Sequence, residues 1–179
     1  KIILIEGYDV FYEPHDDGTV ARFIEGLQQG AAWAAQAPVM LGLENVDVPV
    51  TASMESLLRL VTAVNSPWLQ VYADMANLPA MGSDTVTGLE QAAGRLVAVH
   101  VKDSLPRTVR GVPFGQGMVP FAAAFAALRR IHFSGPLTVE MWAHLDPDND
   151  PLTAARKARL FVEHYVSETV LAQGRDGHG

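Results

Sequence analysis

The chain contains no cysteine, which excludes a disulfide framework and leaves no thiolate chemistry available. It also lacks a signal-peptide pattern and any apolar run long enough to span a bilayer, so the default reading is a cytoplasmic enzyme or binding domain. Basic residues are scarce. The 13 Lys and Arg stand against 20 Asp and Glu, for a net charge of −7, which argues against a nucleic-acid or anionic-membrane partner. No glycine-rich phosphate fingerprint follows the first strand candidate, residues 1–6 (KIILIE), and this counts against a dinucleotide fold. There is no initiator methionine either: the chain opens at Lys1, already inside that strand.

What is present is ordinary globular material. Over 179 residues, 49% are hydrophobic and 18% charged, enough to bury one substantial core. Four apolar stretches share a pattern. Residues 38–44 (PVMLGLE) end in Glu44, 68–74 (WLQVYAD) in Asp74, 96–100 (LVAVH) in His100, and 135–140 (GPLTVE) in Glu140. Runs of this kind read as buried strands of a parallel sheet. Side chains at their carboxyl ends face the region where α/β sheets and barrels place their chemistry. The four residues lie 30, 26 and 40 positions apart, compatible with one βα unit per step.

Helical patterns fill the gaps. Thr19 suits an N-cap for a helix over about 19–37, with Val20, Phe23, Ile24, Leu27, Ala31 and Ala34 inward. Ser53 caps a second, carrying Met54, Leu57, Leu58 and Val61 and stopping near Asn65-Ser66-Pro67. Residues 75–82 read as a loop and 83–93 as a shorter helix. The longest irregular segment, 104–119, holds two prolines and three glycines, and a connection of that length is usually functional. Phe121, Ala124, Phe125 and Leu128 mark another helix, residues 146–151 a turn-rich loop, and about 152–172 the closing helix. One domain over 1–172 with a disordered tail at 173–179 is expected.

Strict βα alternation means an open doubly wound sheet or part of a (β/α)8 barrel. Five units cannot close an eight-stranded barrel of about 250 residues. On the barrel reading, Glu44, Asp74, His100 and Glu140 converge near the axis. Three carboxylates crowded together repel one another unless a cation neutralises them. Oxygen-rich ligation with one imidazole suits a divalent ion, Mn²⁺ or Zn²⁺ foremost.

These residues carry a resemblance. The segments 43–47 (LENVD), 72–78 (YADMANL), 97–103 (VAVHVKD), 112–117 (VPFGQG) and 139–142 (VEMW), with 6–12 (EGYDVFY) at the start, resemble the sugar-phosphate epimerases of the xylose-isomerase-like TIM barrel superfamily. Among these they are most similar to the L-ribulose-5-phosphate (L-xylulose-5-phosphate) 3-epimerase or hexulose-6-phosphate isomerase family. The resemblance is collinear over nearly the whole chain. It implies that the chain is the C-terminal five βα units, strands four to eight, of a (β/α)8 barrel whose N-terminal strands are absent. It implies that Glu44, Asp74, His100 and Glu140 hold one divalent metal ion, and that Glu44 and Glu140 double as acid and base. The reaction implied inverts C3 of a ketopentose 5-phosphate through an enediolate. A proton leaves one face and another arrives on the opposite face; the ion steadies the enediolate oxygens.

Secondary positions follow. Lys102 shares the face of His100 by strand alternation and is a candidate for a substrate oxygen or phosphate. Gly115 and Gly117 would let backbone amides approach a phosphate. Trp142 and Tyr8 are candidate pocket walls, and His15, His132, His144 and His164 receive no role. The expected partner is a small sugar phosphate, with self-association to cover the open sheet edge. Alternatives are a ketose–aldose isomerase, a free-sugar epimerase, or a half-barrel that binds without turnover. A metallonuclease is disfavoured by the acidic charge and the single strand-end histidine.

Overall fold

Each apolar run becomes a parallel strand. The computed structural model describes residues 1–145 and 150–173. Within them β1 (Ile2–Glu6), β2 (Met40–Glu44), β3 (Leu69–Asp74), β4 (Leu96–Val101) and β5 (Leu137–Val139) form one sheet in chain order, every pairing parallel. A doubly wound sheet reverses its strand order at a switch point. Sequential order without reversal is the barrel's arrangement, so the sheet is TIM-barrel-like.

The connecting helices are α1 (Asp17–Gln36), α2 (Met54–Val64), α3 (Asn77–Ala80), α4 (Thr85–Gln91), α5 (Phe121–Arg130) and α6 (Pro151–Gln173). Their starts follow cap chemistry. Ser53 caps α2 as expected, and Asn65 ends it in the left-handed conformation. At α1 the cap is Asp16 rather than Thr19. Thr19 is instead the third residue of a capping box, its hydroxyl returning to the Asp16 amide. A carboxylate at the N-cap also meets the positive helix end. The expected loop at 75–82 contains the short α3, and α4 is confined to seven residues behind Asp84.

Strand alternation divides the sheet into two faces. Leu41, Leu43, Val71, Ala73, Val99 and Val101 pack against Leu57, Leu60, Leu89 and Phe125 of the helices to make the core. The opposite face carries Gly42, Glu44, Tyr72, Asp74 and His100. Tyr72 lies across it, close over Gly42, where a Cβ would stand 3.0 Å from the ring. Its hydroxyl donates to Thr138 Oγ1 at 2.9 Å.

One irregularity decides the site. Val71 pairs with Leu96, but Tyr72 pairs with Ala98 and Asp74 with His100. Without that bulge Asp74 would stand beside Val99, since a one-residue slip exchanges the two faces of a strand.

Segment 104–119 holds no helix or strand beyond an isolated bridge between Leu105 and Thr108. It is nevertheless anchored. Phe114 packs on Phe121 and Phe161, and Phe125 stacks on Tyr165 with ring planes 12° apart. Ala154, Ala158 and Val162 complete the inward face of α6. The expected tail beyond Gln173 and residues 146–149 of the expected loop lie outside the described residues. Among the described residues no helix is long and apolar enough to cross a membrane.

Candidate metal centre at the strand ends

The carboxyl ends of β2 to β5 bring four ligand-competent side chains together. Glu44 closes β2, Asp74 closes β3, His100 is the penultimate residue of β4, and Glu140 follows β5 directly. One ligand atom from each lies within 4.8 Å of all the others. His100 Nδ1 stands 2.7 Å from Glu44 Oε1, 3.2 Å from Glu140 Oε2 and 4.0 Å from Asp74 Oδ2. The Tyr72 ring lies 4.6 Å from the imidazole, centroid to centroid, as a floor.

Backbone amides hold Asp74 in place. Its Oδ1 accepts from the amides of Ala76 and Asn77 at 2.7 and 2.8 Å. Asn45, fully buried, clamps the adjoining strands: its Nδ2 donates to the Asp74 carbonyl at 2.9 Å, and its Oδ1 accepts from the Asp74 amide at 2.8 Å. The other carboxylate oxygen, Oδ2, accepts no well-aligned hydrogen bond. Lys102 Nζ sits 2.8 Å from it, as an ion pair off the donor axis.

Lys102 therefore turns inward, as strand alternation predicts, and is buried between Asp74 and Glu140, 3.0 Å from Glu140 Oε2. Burial works against its charge, but the two carboxylates outweigh it and raise its pKa. Burial pushes the Asp74 carboxyl up, to about 7, against the pull of Lys102. Burial also opposes ionisation of Glu140, yet His100 and Lys102 prevail and hold it down at about 2. At His100 burial disfavours the imidazolium, but its hydrogen bonds to the Glu140 and Glu44 carboxylates carry the pKa up to about 9.

These shifts have one meaning. A proton on His100 Nδ1 lies between Glu44 and Glu140 and supplies part of the positive charge that three carboxylates require. Asp74 Oδ2 keeps lone-pair capacity facing the same point. A divalent ion replacing that proton meets three carboxylates and an imidazole, a donor set suited to Mn²⁺ or Zn²⁺. The residues fit a metal.

A cavity of about 360 Å³ opens beside the cluster, lined by Lys102, Glu140, Gly111, Phe114, Trp142 and Lys157. Trp142 lies on its wall. Gly115 and Gly117 do not play the expected part: their amides donate to Asp103 Oδ2, both at 2.9 Å, which takes them away from any phosphate. A Cβ on Gly117 would collide with Asp103 Oδ1 at 2.1 Å. Glycine is needed there for the approach of the carboxylate.

Asp103 was missed by sequence reasoning. Its other oxygen accepts from the amides of Ser104 and Val119 at 2.9 and 3.2 Å, so a single buried carboxylate gathers both ends of the long segment. An Asp at a strand end followed by a Gly-rich loop is the signal that was available. Asn45 was missed too. Replacing Asp103 with Asn turns one acceptor into a donor facing two amides, with an expected loss of about 2 to 4 kcal/mol. Urea unfolding reads that loss, and limited proteolysis should cut first within 104–119.

Comparison with known proteins agrees with this architecture. The family described as Xylose isomerase-like TIM barrel matches residues 1–164. L-ribulose-5-phosphate 3-epimerase UlaE of Escherichia coli (strain K12) is 37% identical over 173 residues, covering 97% of this chain and 60% of that protein. The chain spans about 60% of the length of the curated relatives it matches. The structure of D-allulose 3-epimerase from Methylomonas sp. in complex with D-allulose superposes with a TM-score of 0.74 at 23% identity, over 87% of this chain and 58% of that one. The IOLI protein with a binding zinc atom superposes with a TM-score of 0.72 at 23% identity, over 95% and 63%. By strand order, strand-end chemistry and this match across nearly its whole length, the chain belongs to the xylose isomerase-like TIM barrel family.

Proposed function

We propose that this chain carries the metal-binding and acid/base part of a 3-epimerase acting on a ketopentose 5-phosphate. The observation that supports it most is the convergence of Glu44, Asp74, His100 and Glu140 within 4.8 Å at four successive strand ends. Glu44, Asp74, His100 and Glu140 would hold the ion. When bound there, the ion would supply positive charge where negative charge develops on the substrate oxygens as the C3 proton leaves.

The chain's own residues do the rest. Glu44 and Glu140 reach the cluster from strands on either side of β3 and β4, so a ketose seated between them has a carboxylate toward each face. One removes the proton and the other returns one to the opposite face. Lys102, 3.0 Å from Glu140 Oε2, orients that carboxylate. The Asn45 clamp and the register shift between β3 and β4 fix Asp74, and the Tyr72 ring lies against the imidazole.

The relatives named L-ribulose-5-phosphate 3-epimerase support the substrate class. A free-sugar epimerase is the second reading, favoured by the D-allulose complex among the structural neighbours. The test is reconstitution with Mn²⁺ or Zn²⁺, elemental analysis, and NMR of L-ribulose 5-phosphate and L-ribulose in deuterated water. About one ion per chain with deuterium entering C3 and inversion is expected. A chain that takes up no ion, or leaves C3 protonated in both sugars, sinks the reading.

A further inference from the structure

Segment 104–119 is fastened at its root, where Asp103 accepts from the amides of Ser104, Gly115, Gly117 and Val119. Its middle leaves that anchor. Val109, Gly111 and Val112 line the cavity beside the strand-end cluster, whereas Arg110, among them in sequence, lies off its wall and reaches other loops. Arg110 Nη1 stands 3.9 Å from Asp47 Oδ2, and the guanidinium donates to the Tyr8 hydroxyl oxygen. Tyr8 in turn donates to Asp47 Oδ1 at 2.5 Å. Burial and the Asp47 carboxylate push the Tyr8 hydroxyl up, to about 12, so it keeps its proton as a donor.

Strand order makes this contact a bridge. Tyr8 follows β1 and Asp47 follows β2, but Arg110 follows β4. The sheet runs β1-β2-β3-β4, so a link from the β4 loop to the β1 loop crosses the ends of β2 and β3, where Glu44 and Asp74 sit. Trp142 ties the bridge to the cluster. The Arg110 guanidinium carbon and Lys102 Nζ each lie 5.5 Å from its ring centroid, and Lys102 stands against Asp74 and Glu140. The cluster itself is shut in: the side chain of Asp74 is 0% exposed, that of Glu44 6% and that of His100 13%. No ketose or hydrated ion reaches these atoms unless part of their covering moves. The middle of 104–119 has the means to move. Gly111 and Gly115 sit at φ +74° and +80°, backbone states open to glycine. The Arg107 amide holds one side of it to the Ala80 carbonyl at 3.0 Å. Arg110, half-exposed, holds the other side by an ion pair of the weak, reversible kind.

We infer that Tyr8, Asp47 and Arg110 form a latch that holds the middle of segment 104–119 closed across the strand-end cluster, and that its release admits an ion or a sugar. The latch sets how fast the site is entered and left, not how tightly it binds. It requires that the cluster take up a metal ion, and it is independent of which sugar is turned over.

Two measurements test it. The first is stopped-flow exchange of Zn²⁺ between the protein and a chromogenic chelator, followed in both directions. Arg110→Ala and Asp47→Ala should each raise the association and dissociation rates together, by about tenfold, the weight of one hydrogen bond with an exposed cation–π contact, and leave their ratio unchanged. The double variant should go no further, because the two residues act as one contact, and Arg110→Lys should recover part of the effect. Arg59→Ala, an exposed change on α2, serves as the control. The second is hydrogen exchange in the ion-free protein. Amides within 105–112 should exchange faster in Arg110→Ala, while those of Gly115, Gly117 and Val119, held by Asp103, keep their protection. The inference is overturned if neither Zn²⁺ rate moves, if affinity falls with the association rate unchanged, or if 105–112 stays as protected as in the wild type. A wild type that takes up no Zn²⁺ sinks the metal reading, and hydrogen exchange then decides the latch by itself.

Discussion

On the proposed epimerase reading, Glu44→Gln and Glu140→Gln should each abolish inversion at C3, by about a thousandfold or more, while differing in which epimer they still deprotonate. General acid–base groups contribute about 10²- to 10⁴-fold. Inversion needs both carboxylates, because one takes the proton and the other delivers it. Exchange with solvent needs only one. A protein lacking the base for one epimer should therefore still wash deuterium into the other, without interconverting the two. Supplying each ketose 5-phosphate separately in deuterated water and following C3 by NMR reads this directly. Each variant also disturbs the ion pairs: Glu140→Gln removes a partner from both His100 and Lys102, whereas Glu44→Gln removes one from His100 alone. Elemental analysis of both variants separates the two jobs. Loss of ion together with all exchange would mean that a glutamate only holds the metal. Retained ion with one-sided exchange is the expected outcome.

Much of this arrangement was legible in the sequence because strand periodicity and strand-end chemistry are local. Four apolar runs, each ending in a ligand-competent residue, located Glu44, Asp74, His100 and Glu140, and alternation placed Lys102 beside them. The bulge at Val71 and Tyr72 was not legible, although it is what puts Asp74 on the face of His100, because no proline or glycine marks it. Asn45 reads as a loop residue until its amide is seen closing on both backbone groups of Asp74, 29 positions away. The glycines at 115 and 117 were assigned to an anion, and the anion they bind is the chain's own Asp103. Sequence shows that an amide can approach negative charge; only the fold shows whose charge it is. Capping at α1 failed for a smaller reason of the same kind. Asp16 and Thr19 are both good caps, and reciprocal bonding lets them share the work.

Without metal, the protein should be most stable at about pH 4 to 4.5 and lose stability steadily toward pH 9, and a divalent ion should reverse that slope. Three groups set the profile. His100 has a folded pKa of about 9 against an ordinary 6.5, so its contribution is complete below 6.5 and is lost as pH rises through 9. Glu140, held at about 2 against 4.5, contributes above 4.5 and loses that contribution only as pH falls toward 2. Asp74, raised to about 7 from 3.8, acts in the opposite sense to Glu140: ionising it in the folded state costs stability that accumulates between 3.8 and 7. The Glu140 gain and the Asp74 loss cross at about pH 4 to 4.5, where His100 is still fully protonated and helping. Metal ligands must be deprotonated to bind. An ion displaces the proton on His100 and whatever proton Asp74 still holds, so its affinity should climb from pH 6 to 9, just where the ion-free fold weakens. Urea unfolding in chelator across pH 4 to 9 checks the first half. Calorimetry at pH 7.5 in buffers of different ionisation enthalpy checks the second, by counting protons released per ion bound. Stability that stayed level or rose from pH 5 to 9 in chelator would mean that no proton is standing in for the missing positive charge. Binding without proton release would mean that the ion sits elsewhere than against His100 and Asp74.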